Sequence, residues 1–231
     1  MTKKMYKVWS YSPSDKMSDL ICDNYPMILV LNRFDIAMGF KDGSIGEVCE
    51  ASGVDVDTFL AIVNLLIAAD SHSVEIDPTR ISLEAVVSYL ARSHKYFSEY
   101  KFQDIRAKLE AAICSENAFS QAILSYFDEY VSEVERHMNY EDEVVFSSVE
   151  RLLSGHTEGL FNIDLFSDHH ECMDSKLVEL KNIIIKYYPA QTTNELSGVL
   201  FEIFAAEDDL ESHTLIEDHI LIPVIRELMN R

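Results

Sequence analysis

Two histidine–glutamate pairs hold the same place in two halves of this chain. His137 is followed four residues later by Glu141, His213 four residues later by Glu217, and the pairs lie 76 residues apart. Positions i and i+4 share one helix face with Cβ atoms about 6 Å apart, so each pair can aim both side chains at one point. Composition alone supplies about 0.8 such pairs in a chain like this, but the surroundings agree as well. The stretches VERHMNYEDEVVFSSV and LESHTLIEDHILIPVI both read apolar, Glu, any residue, His, three residues, Glu-Asp, any residue, then three apolar residues. The same offset links His94 in YLARSHKYF to His170 in LFSDHHECM, and each precedes the histidine of its pair by 43 residues. A hairpin with one His on its first helix and His-x3-Glu on its second therefore occurs twice. The register selects His170 over His169, which turns about 100° away on a helix; Met173 and Leu177, three and seven residues on, are core positions.

Two such hairpins packed antiparallel make a four-helix bundle with four imidazoles and two carboxylates inside. The apolar pattern supports it: Leu124, Phe127, Val131 and Val134 recur at alternating steps of three and four. Helical spans are expected at 82–113, 116–153, 164–188 and 192–229, joined by short breaks. Only seven glycines and five prolines in 231 residues suit long helices rather than many turns, and 48% apolar residues can build a sizeable core. The expected fold is all-α, an antiparallel four-helix bundle over residues 76–231 preceded by a small helical N-terminal domain over residues 1–75.

Charge narrows the partners. Forty acidic against nineteen basic residues give a net charge of −21, the wrong sign for nucleic acid or an anionic membrane surface. No window approaches the roughly 18–20 consecutive apolar residues of a membrane span. The basic start has no apolar run of a secretory signal. Four cysteines, Cys22, Cys49, Cys114 and Cys172, lie far apart with no CxxC, which fits reduced thiols in a cytoplasm.

The N-terminal part is densely punctuated. An apolar run from Met17 to Phe34 contains Pro26, and GFKDG breaks the pattern at Gly39–Gly43. Ser44 with Glu47 three residues later has capping-box spacing, Gly53 ends that helix, and Asp55 or Asp57 caps the next. The arrangement resembles a DNA-binding helix-turn-helix, but six basic against eleven acidic residues over 1–75 argue against it. The segment from Asp70 to Ile81, polar and containing Pro78, reads as a linker.

The chemistry of the repeated residues is that of a metal centre. Imidazole with carboxylate and no cysteine in register suits iron or manganese, with zinc as a third candidate. Two His-x3-Glu units plus two further histidines suit two ions, with the glutamates able to bridge them. The competing reading, histidines that share a register through duplication alone, leaves four imidazoles and two carboxylates to be buried at considerable cost. Asp142 and Asp218 point elsewhere on their helices and suit partners of the ligand imidazoles. His219 lies about 240° round the helix from His213. His72 and His156 fall in breaks, and Phe127, Tyr130, Tyr140 and Phe146 read as core packing.

The His, His-x3-Glu, His, His-x3-Glu succession over residues 82–229 resembles the hemerythrin-like cation-binding domain, a four-helix bundle with a non-haem di-iron centre. Residues 17–69 resemble the small N-terminal domain attached to that bundle in the repair-of-iron-centres family, cytoplasmic proteins of nitrosative and oxidative stress and of iron–sulfur cluster repair. The resemblance implies that His94, His137, Glu141, His170, His213 and Glu217 hold two iron ions. It implies a small diatomic partner, nitric oxide or oxygen, and damaged iron–sulfur proteins as recipients. Two departures stand out. The family's fifth histidine falls between the equivalents of His94 and His137, where this chain has none; water, an exogenous ligand or a side chain such as Glu110 would replace it. The family's paired cysteines before the N-terminal glycine are Ala37 and Met38 here, ahead of Gly39. A non-catalytic oxygen or iron sensor that signals through the N-terminal domain is the alternative reading.

Overall fold

A computed structural model describes residues 10–71, 74–113, 117–156, 174–188 and 193–229, all of them helix, turn or loop apart from one isolated bridge between Lys16 and Ser44. The all-α expectation holds. No described helix is long and apolar enough to cross a membrane. The chain divides into two compact units, one of residues 1–92 and 215–231, the other of residues 93–214.

In the first unit the apolar run breaks at its proline into α1 (Met17–Asp23) and α2 (Met27–Arg33). Pro26 stands at the N-cap of α2, where the missing N–H costs nothing. The helix α3 (Ile45–Ser52) carries the capping box from Ser44 and Glu47, and Gly53 ends it in the left-handed region at φ +68°. Asp55, rather than Asp57, caps α4 (Val56–Ile67) by accepting from the Thr58 N–H at 2.8 Å. Arg33 is buried and donates to the Tyr89 hydroxyl at 3.4 Å, and Phe34 lies between Phe59 and Tyr89. Arg92 pairs with Asp35 at 3.2 Å. The turn after α2 is thereby tied to the first three turns of α5 (Leu83–Tyr96).

The polar segment before α5 is anchored rather than loose. Arg80 grips both Asp57 oxygens at 3.0 and 2.9 Å, and the Ser82 N–H donates to the Thr58 hydroxyl. Linker-like composition conceals this because its polar groups bond to α4.

In the bundle, α5 continues through a π turn (Phe97–Lys101) into α6 (Phe102–Ala112). The next helix is α7 (Ala118–Tyr140), a π turn (Glu141–Phe146) and α8 (Ser147–Leu153). Of the third expected span only α9 (Asp174–Tyr187) is described; residues 164–173 lie outside the described residues. The last is α10 (Asn194–Ile216), a π turn (Glu217–Leu221) and α11 (Ile222–Met229).

One apolar core takes residues from all four helical spans, among them Ile105, Phe127, Leu180 and Ile203. Leu124, Phe127 and Val134 are buried in it, and Val131 packs against it. Around this core, ion pairs link helices: Lys101 with Glu202 at 2.6 Å, Arg106 with Asp128 at 2.7 Å, Lys176 with Glu133, and Lys181 with Glu207.

Candidate metal centre

Three of the long helices each contain a π turn. The π turns begin three residues after His94, at Glu141 and at Glu217. A π turn inserts an extra residue and shifts the faces that follow, and such insertions gather at functional sites. Two of them open on a completely buried glutamate, Glu141 and Glu217. Val145 and Phe146 are buried, as are Ile220, Leu221 and Ile222. That apolar triplet was the visible trace of a feature that helical periodicity alone missed.

Ligand-type atoms of His94, Glu141, His213 and Glu217 all lie within 4.8 Å of one another. All four are buried, both carboxylates completely. The Nε2 atoms of His94 and His213 are 3.1 Å apart, and Glu141 Oε2 is 3.2 Å from His94 Nε2. The other oxygen, Glu141 Oε1, is 2.9 Å from His137 Nε2. The outer edges of the rings are occupied: His94 Nδ1 meets Asp142 Oδ1 at 2.8 Å, and His213 Nδ1 meets the Ser93 hydroxyl at 3.1 Å. Phe146 stacks on the His94 ring, 5.4 Å between centroids and 12° from parallel.

Burial opposes charging His94, but the hydrogen bonds its ring donates to Asp142 and Glu141 outweigh it and push its pKa up to about 9. A divalent cation offsets the charge of both buried carboxylates. Two nitrogens each about 2.1 Å from one ion and roughly at right angles would be about 3 Å apart, as His94 Nε2 and His213 Nε2 are. The donor set therefore fits a metal ion, and carboxylate with imidazole is what iron, manganese and zinc accept.

Of the residues selected from sequence, the structure brings together His94, Glu141, His213 and Glu217, with His137 against Glu141. His170 lies outside the described residues, as do His169, His72, Met173, Cys114 and Cys172. Leu177 is buried, as its place seven residues after His170 requires. Asp142 meets the His94 imidazole, a contact the sequence suggested, whereas the Ser93 contact to His213 was missed although Ser93 immediately precedes His94. Glu110 is exposed and pairs with Arg106 at 3.0 Å, so a surface ion pair replaces the ligand role considered for it. Phe127, Tyr130 and Phe146 are buried, but Tyr140 is exposed, because it falls on the outer face just before the π turn. His156 is exposed and His219 half-buried.

A cluster of buried imidazoles and carboxylates across a helical bundle defines a cation-binding protein. The family model of the hemerythrin HHE cation-binding domain matches residues 85–226. This covers more than half of the chain, which belongs to that family. No curated protein matches the chain.

Proposed function

We propose that this is a non-haem di-iron protein of the nitrosative and oxidative stress response, cytoplasmic and of the repair-of-iron-centres type. The observation that carries the reading is the division of Glu141: one oxygen faces His94 and the other faces His137. A carboxylate so placed can bridge two ions. His94 and His213 would serve one ion and His137 and His170 the other, with Glu141 and Glu217 between them. Iron is the metal we propose; manganese and zinc suit the same donors.

An iron pair, when bound, supplies one-electron chemistry and open positions for a small diatomic such as nitric oxide or oxygen. The chain's own residues do the rest. His94 and His213 would bind through Nε2, with Asp142 and Ser93 holding them from behind, and Phe146 and the surrounding aliphatic side chains would keep water out. Residues 1–75 are proposed as the N-terminal domain of the repair family, through which damaged iron–sulfur proteins would be met. The test is titration of the reduced, iron-loaded chain with nitric oxide and with oxygen, beside the stress sensitivity of deletion cells. A spectral change at about one equivalent per centre and a sensitive deletion strain are expected. Neither response would sink the reading.

A second reading is favoured by one observation. Ala37 and Met38, at the positions of the family's cysteine pair, are exposed and offer no thiol. A sensor that reports oxygen or iron to a protein partner needs none. Stable oxygenation without turnover would favour it, and repeated turnover of nitric oxide would exclude it as a sufficient account.

A further inference from the structure

The two buried imidazoles are held from behind by chemically different groups. His94 Nδ1 meets a carboxylate, Asp142, at 2.8 Å, and His213 Nδ1 meets a neutral hydroxyl, Ser93, at 3.1 Å. Both holders sit next to a residue of the cluster but serve a different helix. Ser93 adjoins His94 on α5 and holds the ring carried by α10; Asp142 adjoins Glu141 and holds the ring carried by α5. Ser93 is completely buried, whereas the Asp142 side chain is 43% exposed. Phe146 stacked on His94 limits the tilt of that ring.

We propose that Ser93 and Asp142 are positioning residues of the metal centre that commit His94 and His213 to ligation through Nε2, and that Asp142 makes His94 the stronger donor of the two. The inference rests on the metal reading above. The chemistry is general: a metal-bound imidazole whose far N–H donates to a carboxylate gains electron density, while a hydroxyl orients the ring and adds little charge. A more electron-rich donor stabilises the more highly charged, oxidised ion. The centre is therefore electronically lopsided, with α5 providing its stronger imidazole.

The experiment uses the full chain loaded with iron and compares Ser93→Ala, Asp142→Asn and Asp142→Glu with the wild type. Asp142→Asn keeps an oxygen acceptor but removes the charge. It should weaken iron binding by about 10–100-fold in chelator competition and raise the midpoint potential, and Asp142→Glu should restore both towards wild type. Ser93→Ala should weaken binding by less, leave the potential nearly unchanged, and in zinc-loaded protein mix the His213 tautomers seen by nitrogen NMR. If the wild type holds iron and Asp142→Asn matches it in affinity and potential, the inference is overturned while the metal reading stands. If the wild type holds no metal, the metal reading falls and takes the inference with it.

Discussion

The two copies of the hairpin agree where the site is built and differ where the core is filled. Both α7 and α10 are 23 residues long and pass into a π turn at their glutamate. Each starts from a residue whose side chain accepts the N–H three places on, Asn117 from Ser120 and Thr193 from Leu196, and these caps are again 76 residues apart. The filler has drifted. Ile105 lies in the apolar core and Val131 packs against it, but 76 residues further on stand Lys181 and Glu207, which form an ion pair. Helix start, winding and the buried His and Glu positions are tied to one another, since a shift in any of them turns the glutamate off the inner face. An apolar position beyond the site can become a salt bridge without disturbing them.

The largest effect should come from the glutamates. Glu141→Ala and Glu217→Ala should each remove more than half of the bound metal, by equal amounts if the copies are equivalent, while Glu143→Ala, an exposed neighbour, should retain it. Elemental analysis of the purified variants decides. Unequal losses would break the equivalence and show that one bridge dominates. His170→Ala should behave like the glutamate variants and His169→Ala like the wild type, which extends the comparison to a segment placed here by register alone.

Converting the second copy towards the first comes next. Lys181→Ile alone leaves Glu207 without this cation at a largely buried position and should cost about 1–3 kcal/mol in urea unfolding. Adding Glu207→Val should recover most of that loss, because both positions then carry the side chains of the first copy. A double variant no better than the single one would mean that the bundle has repacked around the charges. The caps follow: Asn117→Ala and Thr193→Ala should each cost about 1 kcal/mol, and a marked difference would show that one helix start is held by its neighbours instead.

How much of this was legible follows from what each feature leaves in a sequence. The N-terminal helices were readable because caps and turns are local: Ser44 with Glu47, Gly53 and Asp55 act within one helical turn of where they stand. The cluster of His94, Glu141, His213 and Glu217 was readable because His137–Glu141 and His213–Glu217 recur at one spacing, with His94 at a fixed distance before the first pair. The anchoring of the segment before α5 was hidden, since Arg80 bonds to Asp57 across 23 residues and polar composition looks the same tethered or free. Ser93 was hidden for a similar reason: a hydroxyl beside a histidine signifies nothing until its helix packs against the one carrying His213. The π turns left only the apolar triplets as a trace, because a one-residue shift in winding changes no residue type.

The smallest expected effect separates the N-terminal unit from the bundle. Burial, with Asp55 nearby, pushes the Cys49 thiol up to about 12 from an ordinary value of 9.0. The folded state thus holds this proton more tightly than the unfolded chain does. Its stabilising contribution is complete below about pH 9 and is lost as pH rises towards 12. At pH 8.5, peptide-mapped alkylation should modify exposed Cys22 and spare buried Cys49 until urea is added. Early labelling of Cys49 would mean that α3 opens independently of the helices around it.

The most direct measurement is metal content by elemental analysis of the full chain purified without added metal, with the optical spectrum of its oxidised form. The account predicts about two irons per chain, bands of an oxygen-bridged ferric pair, and loss of both in Glu141→Ala. A wild-type chain that carries no metal, and takes none up when iron, manganese or zinc is offered, would contradict it.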